Sequence, residues 1–559
     1  MTITYSENSK NANDKIRWTR NDVSQKIVDF ETRNPIFSQR DFAKETGVPR
    51  TTLQNWVNRK AQIDADPELV DFLESPVGVK FLHHLTLALH FEFTKVGCAS
   101  IRNICNFLEL TQLSRFVAPS YGTHQKISDQ MDIMIGKFGD KEEARLSILM
   151  EEKLITICED ETFHPQVCLV AIDPESNYII LERYAKDRSG ATWNEALTGA
   201  LGNLPVKIIQ GTSDEGKGLI NHVTKGLKGH HSPDLFHVMY EISKGTSAPL
   251  SSLIRKAEKA HEDSANAVDD ALNIKTAYEN LEKRPVGRAP DFEKRISRCR
   301  EKETEARASL KLVIDNRETV SEGRKNISRI YHPYDPLTGN KQDASTVGSL
   351  LEKNFDEIRH ASDSLGDKSK ERIEKAWRVT EKMTATIAFF FCMIESLVKD
   401  MNVSHDKQNL MYNRLIPGFY LEKVSQKEKD PERKERIRQK SLELLSVLTD
   451  RSGPLSGCDA MEINSMVRKA KNCAGIFQRS SSCVEGRNAQ LSLHHHGMHR
   501  LSDRKMKCLT VIHNFYLKRS DGTTAAERFF ESKPSNMFDW LLNEMDSPPR
   551  PRSKRKLAA

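Results

Sequence analysis

Three acidic residues stand in contexts that suit divalent-metal chemistry: Asp160, Asp214 and Glu485. Asp160 closes the apolar run Leu154-Ile155-Thr156-Ile157-Cys158, which reads as a buried strand, and Asp214 closes a second such run that begins at Val206. Glu485 lies far downstream in Ser482-Cys483-Val484-Glu485-Gly486-Arg487-Asn488, a segment that reads as helical. Oxygen donors alone favour hard ions, Mg²⁺ or Mn²⁺, over zinc. Two carboxylates on neighbouring strands repel unless a cation lies between them. A third, arriving from a helix, completes a cage for two ions on either side of a scissile phosphodiester. Glu159 and Glu161 flank Asp160, and alternation along a strand buried on both faces does not choose among the three. Glu241 and Glu395 are further acids upstream of Glu485 that could stand in its place.

The elements that must position these side chains follow from periodicity. Strands are expected at 154–158, 167–172 and 178–184, then a helix at 193–201, a strand at 206–209, a helix at 215–227 and a fifth strand in the apolar run 235–242. That order resembles a ribonuclease-H-like mixed sheet, in which the first and fourth strands are neighbours and bring Asp160 beside Asp214. The expected fold class is therefore an α/β core interrupted by a large all-α insertion and preceded by a helical DNA-binding region. Within the insertion, Leu253, Ala257, Ala260, Ser264, Ala267, Ala271, Ile274, Tyr278 and Leu281 recur at alternating four- and three-residue steps. After the break around Pro285 and Pro290, Phe292, Ile296, Cys299, Ala306, Leu310, Val313, Val320 and Ile327 continue on a second helix, which predicts an antiparallel coiled-coil hairpin over about 250–330.

Nearer the amino terminus, Ser38 can cap a helix carrying Phe42 and Ala43, Gly47 permits a tight turn, and Val48, Leu53 and Trp56 return at helical spacing. This is a helix-turn-helix pattern, and Arg50, Thr51, Gln54, Asn55 and Arg59 on its second helix are side chains suited to base edges and phosphates. The expected units are 1–62 (helix-turn-helix), 63–150 (a helical DNA-binding or linker unit), 151–245 (core with both aspartates), 246–475 (helical insertion), 476–535 (core with the glutamate) and 536–559, a basic tail whose proline-broken 548–556 stretch reads as disordered.

Composition adds bounds. A chain of 559 residues, 38% hydrophobic and 29% charged, exceeds a single core, and its +7 charge is too modest to prove nucleic-acid binding alone. No apolar stretch is long enough to span a bilayer, so a cytoplasmic location is expected. The ten cysteines form no Cys-x-x-Cys pair, which favours reduced thiols over zinc knuckles or disulfides. The cluster His494, His495, His496 and His499 splays around a helix and is expected to lie beside DNA or solvent instead of holding zinc.

Taken in order, several strings resemble the DDE-type transposases of prokaryotic mobile elements: Asp160-Glu161-Thr162-Phe163, Asp187-Arg188-Ser189-Gly190-Ala191-Thr192-Trp193, Ser213-Asp214-Glu215-Gly216-Lys217-Gly218-Leu219, Asp234-Leu235-Phe236-His237, Tyr331-His332-Pro333-Tyr334-Asp335-Pro336, Val484-Glu485-Gly486-Arg487-Asn488, His513-Asn514-Phe515 and the run from Asp521 to Phe529. The resemblance covers nearly all of 154–530. It selects Asp160 over its neighbours, implies Asp160, Asp214 and Glu485 as catalytic ligands of two Mg²⁺ or Mn²⁺ ions, and suggests His237, Arg487 and Asn488 as phosphate or DNA contacts near the metals. It also implies strand cleavage and transfer at terminal inverted repeats of an insertion sequence, a homodimer or larger assembly on double-stranded DNA, no membrane, and a nucleoid-associated site in a prokaryotic cell. A transposase-derived regulator without activity, or a metal-dependent nuclease on the same core, are the alternatives.

Overall fold

The computed structural model describes residues 18–552 apart from 35, 164–165, 203, 284, 451–452 and 499–500. Three short helices open the chain: α1 (Arg20–Arg33), α2 (Gln39–Thr46) and α3 (Arg50–Ala61). Ser38 caps α2 by accepting from the Asp41 N–H, and Gly47 ends it at φ 71°, a left-handed conformation that glycine adopts without a Cβ clash. Phe30, Phe42, Val48 and Leu53 form the small core, flanked by Trp18 and Trp56. The expected helix-turn-helix pair is thus present as α2 and α3. Helices α4 (Pro67–Glu74), α5 (Pro76–Leu89), α6 (Ile101–Leu110) and α7 (Tyr121–Leu149) follow.

Five strands make one mixed sheet: β1 (Lys153–Phe163), β2 (Val167–Asp173), β3 (Tyr178–Ala185), β4 (Val206–Ser213) and β5 (His230–Pro233), in the order β3-β2-β1-β4-β5. β1 pairs antiparallel with β2 and parallel with β4, and β4 pairs parallel with β5. The expected adjacency of first and fourth strands is therefore observed. Helices α8 (Gly190–Leu201) and α9 (Lys217–Asn221) connect the strands, and α9 continues as a π-helical turn to Gly226. Leu197, Trp193 and Leu219 from these helices share a core with Phe138 of α7 and with Ile155, Ile157 and Leu169 of the sheet.

Two expectations are corrected here. The run at 235–242 is helical, and the fifth strand is the short segment before it. Asp234 accepts from the Phe236 N–H and starts α10 (Leu235–Glu279), whose Leu235, Val238 and Ile242 are buried at helical spacing. The helical arm therefore begins at the sheet and needs no separate linker. α10 packs along α11 (Phe292–Ile330) as the expected hairpin, but the α10 seam is shifted on one side. Ile254, Val268 and Ala271 are buried, whereas Ala260, Ala267 and Ile274 are exposed. Both registers repeat every seven residues and share Ala257, Ser264, Ala271 and Tyr278, so small residues on two stripes made them indistinguishable by period. On α11 the expected seam stands, with Ile296, Val320 and Ile327 buried.

The insertion continues through α12 (Ala344–Ala361), α13 (Asp367–Arg378), α14 (Thr380–Lys399), α15 (His405–Leu410), α16 (Ile416–Lys427), α17 (Pro431–Leu445) and α18 (Ala460–Ile476). Together with the base of α10 and α11 they enclose an apolar core around Phe355, Phe390, Ile387 and Leu415. The chain then returns to the sheet with α19 (Ser482–Met498), α20 (Asp503–Phe515), α21 (Ala525–Phe530) and α22 (Met537–Glu544). Asn514 closes the exposed edge of β3: its amide accepts from the Ile179 N–H and donates to the Ile179 carbonyl, both at 2.9 Å. The expected disorder after Pro548 is also corrected, at least to Arg552. Pro548, Pro549 and Pro551 offer their carbonyls to Arg20, the Ala118 N–H and Arg59. Among the described residues no helix is long and apolar enough to cross a membrane.

Candidate active site

A β-bulge shifts the pairing of β1 and β4 just before both aspartates. Ile155 pairs with Ile208, but Thr156 pairs with Gln210, so Ile209 is an extra residue in β4. Beyond it Cys158 pairs with Thr212. The ladder ends there and β4 ends at Ser213, so Asp214 follows directly after the strand; the same register carried two residues further would align it with Asp160. Continued from the Ile155–Ile208 pairing without that shift, the register would instead align Asp214 with Glu161.

The face that carries Asp160 is covered by α19. Val484 packs on Cys158, Cys168 and Val170, and one turn later the Asn488 amide donates to the Asp160 Oδ2 at 3.0 Å. Asp160 Oδ1 accepts from the Glu161 N–H at 2.8 Å. Burial, together with the negative charges of Glu485 and Asp214, pushes the Asp160 carboxyl up to about 7, against the backbone hydrogen bond and His237. Glu485 and Asp214 are thus each close enough for their charge to act on Asp160. Asp214 is half-buried and accepts from the Gly216 N–H at 2.8 Å, while Glu485 is exposed in the first turn of α19.

The flanking acids are occupied by other partners, although Glu161 borders the same cleft as Asp214, whose charge, after burial, helps raise its carboxyl. Glu159 is fully buried with His222 Nε2 at 3.0 Å, and a Cβ on Gly211 would come within 2.9 Å of its carboxylate, so glycine is required there. Glu161 accepts from the Trp193 indole at 3.1 Å and has Arg188 at 3.5 Å. Of the fallback acids, Glu241 is bound by Arg372 at 2.6 Å and Lys375 at 2.8 Å, and Glu395 is exposed on α14. Asp214, His237, Glu161, Arg188, Lys217 and Lys375 line a cleft of about 570 Å³.

Several expected contacts have other duties. Arg487 is only 5% exposed and grips Glu182 of β3 with two hydrogen bonds of 2.7 and 2.6 Å, so its guanidinium is not available to a phosphate. Burial would raise the Glu182 carboxyl, but Arg487 and the Thr510 hydroxyl hold it below its ordinary value. This pair pins α19 to the sheet. His237 is half-buried, 3.9 Å from the Asp234 carboxylate. Asp234 itself is buried and receives the Ser481 hydroxyl at 2.5 Å, which fastens the start of α10 to the start of α19. His494 and His495 are buried against Cys98 and Tyr184, not beside solvent as expected, and burial pushes His494 down to about 4. His496 is exposed, and His499 lies outside the described residues. On α3, Arg50, Thr51, Gln54 and Asn55 are exposed, whereas Arg59 is half-buried against Pro551.

The donor set suits a hard divalent ion in kind: three carboxylates, with the Asp160 carboxyl raised by burial and by the charges of Glu485 and Asp214. Among the described residues no three His, Cys, Asp or Glu side chains already converge on one point. Closure would fall to Glu485, which sits exposed at the start of α19.

Residues 411–557 match a family described as a family of unknown function (DUF6399). That match takes in α19 with Glu485 and Asn488 and leaves both aspartates outside. No curated protein matches the chain.

Proposed function

We propose that the chain is a DNA transposase whose ribonuclease-H-like core carries an Asp160-Asp214-Glu485 site for phosphodiester cleavage and strand transfer. The observation that supports this reading is that Asp160, near the end of β1, feels the charges of both Asp214, which follows the neighbouring β4, and Glu485 of α19. A divalent cation bound there supplies Lewis-acid activation of water or a 3′-hydroxyl and stabilises the leaving 3′-oxygen. The three carboxylates would hold the cation and Asn488 would orient Asp160, while His237, Lys217 and Lys375 line a cleft suited to the phosphates of a DNA strand. The Asp234–Ser481 and Glu182–Arg487 contacts keep α19 in register with β1. α2 and α3 bind the element's terminal repeats as double-stranded DNA, and the α10–α11 hairpin joins two chains so that both ends are processed together.

The test is nicking and joining, by the purified full chain in Mg²⁺ or Mn²⁺, of duplexes taken from both flanks of its own coding sequence. Asp214→Ala and Glu485→Gln should each lower the rate at least about a hundredfold, because a metal ligand accounts for several kcal/mol of transition-state stabilisation. Metal-dependent cleavage unchanged in these variants would remove the site. Duplex binding with no cleavage under any metal would leave a regulator.

A further inference from the structure

Arg487 is taken up by Glu182, so a phosphate entering the cleft beside Asp214 must find another guanidinium. Arg188 lines that cleft from the loop between β3 and α8. Its side chain is 65% exposed and its ion-pair contact is loose, with Nη1 3.5 Å from the buried Glu161 carboxylate. Glu161 already accepts from the Trp193 indole at 3.1 Å and does not depend on the arginine alone. The guanidinium carbon lies 5.8 Å from the centre of the Phe163 ring, which supports the side chain without using its N–H donors. Among the other cations of the cleft, Lys375 is held by Glu241 at 2.8 Å.

The backbone beneath Arg188 is fixed from both sides. Asp187 accepts from the Ser189 N–H at 2.9 Å and from the Thr192 hydroxyl at 2.6 Å, and Ser189 caps α8. A Cβ on Gly218 would come within 2.2 Å of the Arg188 carbonyl, so the loop rests directly on the backbone that follows Asp214. An exposed, weakly held cation on a fixed loop differs in kind from the Arg487–Glu182 pair, where both side chains are buried and the fork is filled. From this geometry we propose that Arg188 is a substrate-binding residue of the cleft: its guanidinium leaves Glu161 and grips the non-bridging oxygens of one phosphate in the DNA strand that the site cleaves. The inference rests on the reading of this cleft as the seat of that strand, and it adds a contact that the carboxylates and their cation do not supply.

The experiment is cleavage in Mg²⁺, by the full chain, of duplexes from the flanks of its coding sequence in which one phosphate at a time around the cut is replaced by a methylphosphonate, which removes the negative charge. Arg188→Ala should slow cleavage of the unmodified duplex roughly tenfold to a hundredfold, the range of one hydrogen-bonded contact between charged groups. Arg188→Lys, which keeps the charge and loses the planar fork, should recover part of that rate. In the unaltered chain, a methylphosphonate at one position should cost a similar factor. In Arg188→Ala the same position should cost nothing further, while losses at the other positions multiply. Losses that multiply at every position, or an unchanged rate in Arg188→Ala, overturn the inference alone. Absence of metal-dependent cleavage by the unaltered chain overturns it together with the reading of the site.

Discussion

Replacing Asp160 by Asn should stabilise the metal-free protein by an amount that grows as pH rises from about 4 to about 7. Burial and the neighbouring Glu485 and Asp214 charges raise this carboxyl from 3.8 to about 7 in the folded chain. The difference corresponds to about 4 kcal/mol of unfavourable ionisation as an upper limit, and to about 2 kcal/mol after allowing for relaxation around a half-buried group. Because the folded state holds this proton more tightly than the unfolded state, the group's contribution is fully present below about pH 4 and is lost as pH rises through about 7. Asn is uncharged throughout and keeps the acceptor used by the Glu161 N–H. The Asn488 amide can turn so that its buried, unpartnered Oδ1 accepts from the new amide. Calorimetry of both proteins in EDTA should show the variant's core unfolding several degrees higher at pH 8, given about 2–4 °C per kcal/mol in a domain of 150–250 residues, with the difference shrinking as pH falls and vanishing below about pH 4. A variant equally or less stable at pH 8 would refute the idea that three carboxylates crowd this site.

Breaking the buried pair with Arg487→Ala should destabilise the protein by about 3–5 kcal/mol in urea unfolding, because Glu182 would remain charged and buried; a surface-like loss under 1 kcal/mol would count against its role in pinning α19. Asp234→Ala removes the α10 cap and the Ser481 contact, with an expected loss of about 1–2 kcal/mol and a slower cleavage rate at unchanged DNA affinity. Inserting charge at Val268 should melt the hairpin in hydrogen exchange, while the same change at Ile274 should not, and the reverse would favour the seam expected from the sequence. Mn²⁺ affinity should fall as pH drops through about 7, where the cation competes with a proton on Asp160; a flat profile between pH 6 and 8 would exclude Asp160 as a ligand.

The strand order was legible because three apolar runs, a helix and a fourth run differ in length and flanks, and the parallel pairing of β1 and β4 follows from that order. The bulge at Ile209 was not, since one extra residue changes neither composition nor period, yet it shifts the pairing of β1 and β4 by one residue just before both aspartates. The run at 235–242 fits a strand by apolarity and a helix by spacing, and Asp234 as a cap was the signal for the helix. Arg487 looked like a phosphate ligand beside Glu485 because its partner, Glu182, lies 305 residues away in sequence. The tail read as solvated for the same reason: Glu74 and Arg59, which hold it, are distant in sequence and near only in the fold. Side chains engaged by local motifs were readable, and those paired across the fold were not.

The most direct measurement is anomalous diffraction from crystals of the full chain bound to duplex DNA and Mn²⁺. The account predicts manganese between Asp160 and Asp214 with a Glu485 oxygen in the same coordination shell, at roughly 2.2 Å. Manganese bound elsewhere, or at the two aspartates with Glu485 still turned to solvent, would contradict it.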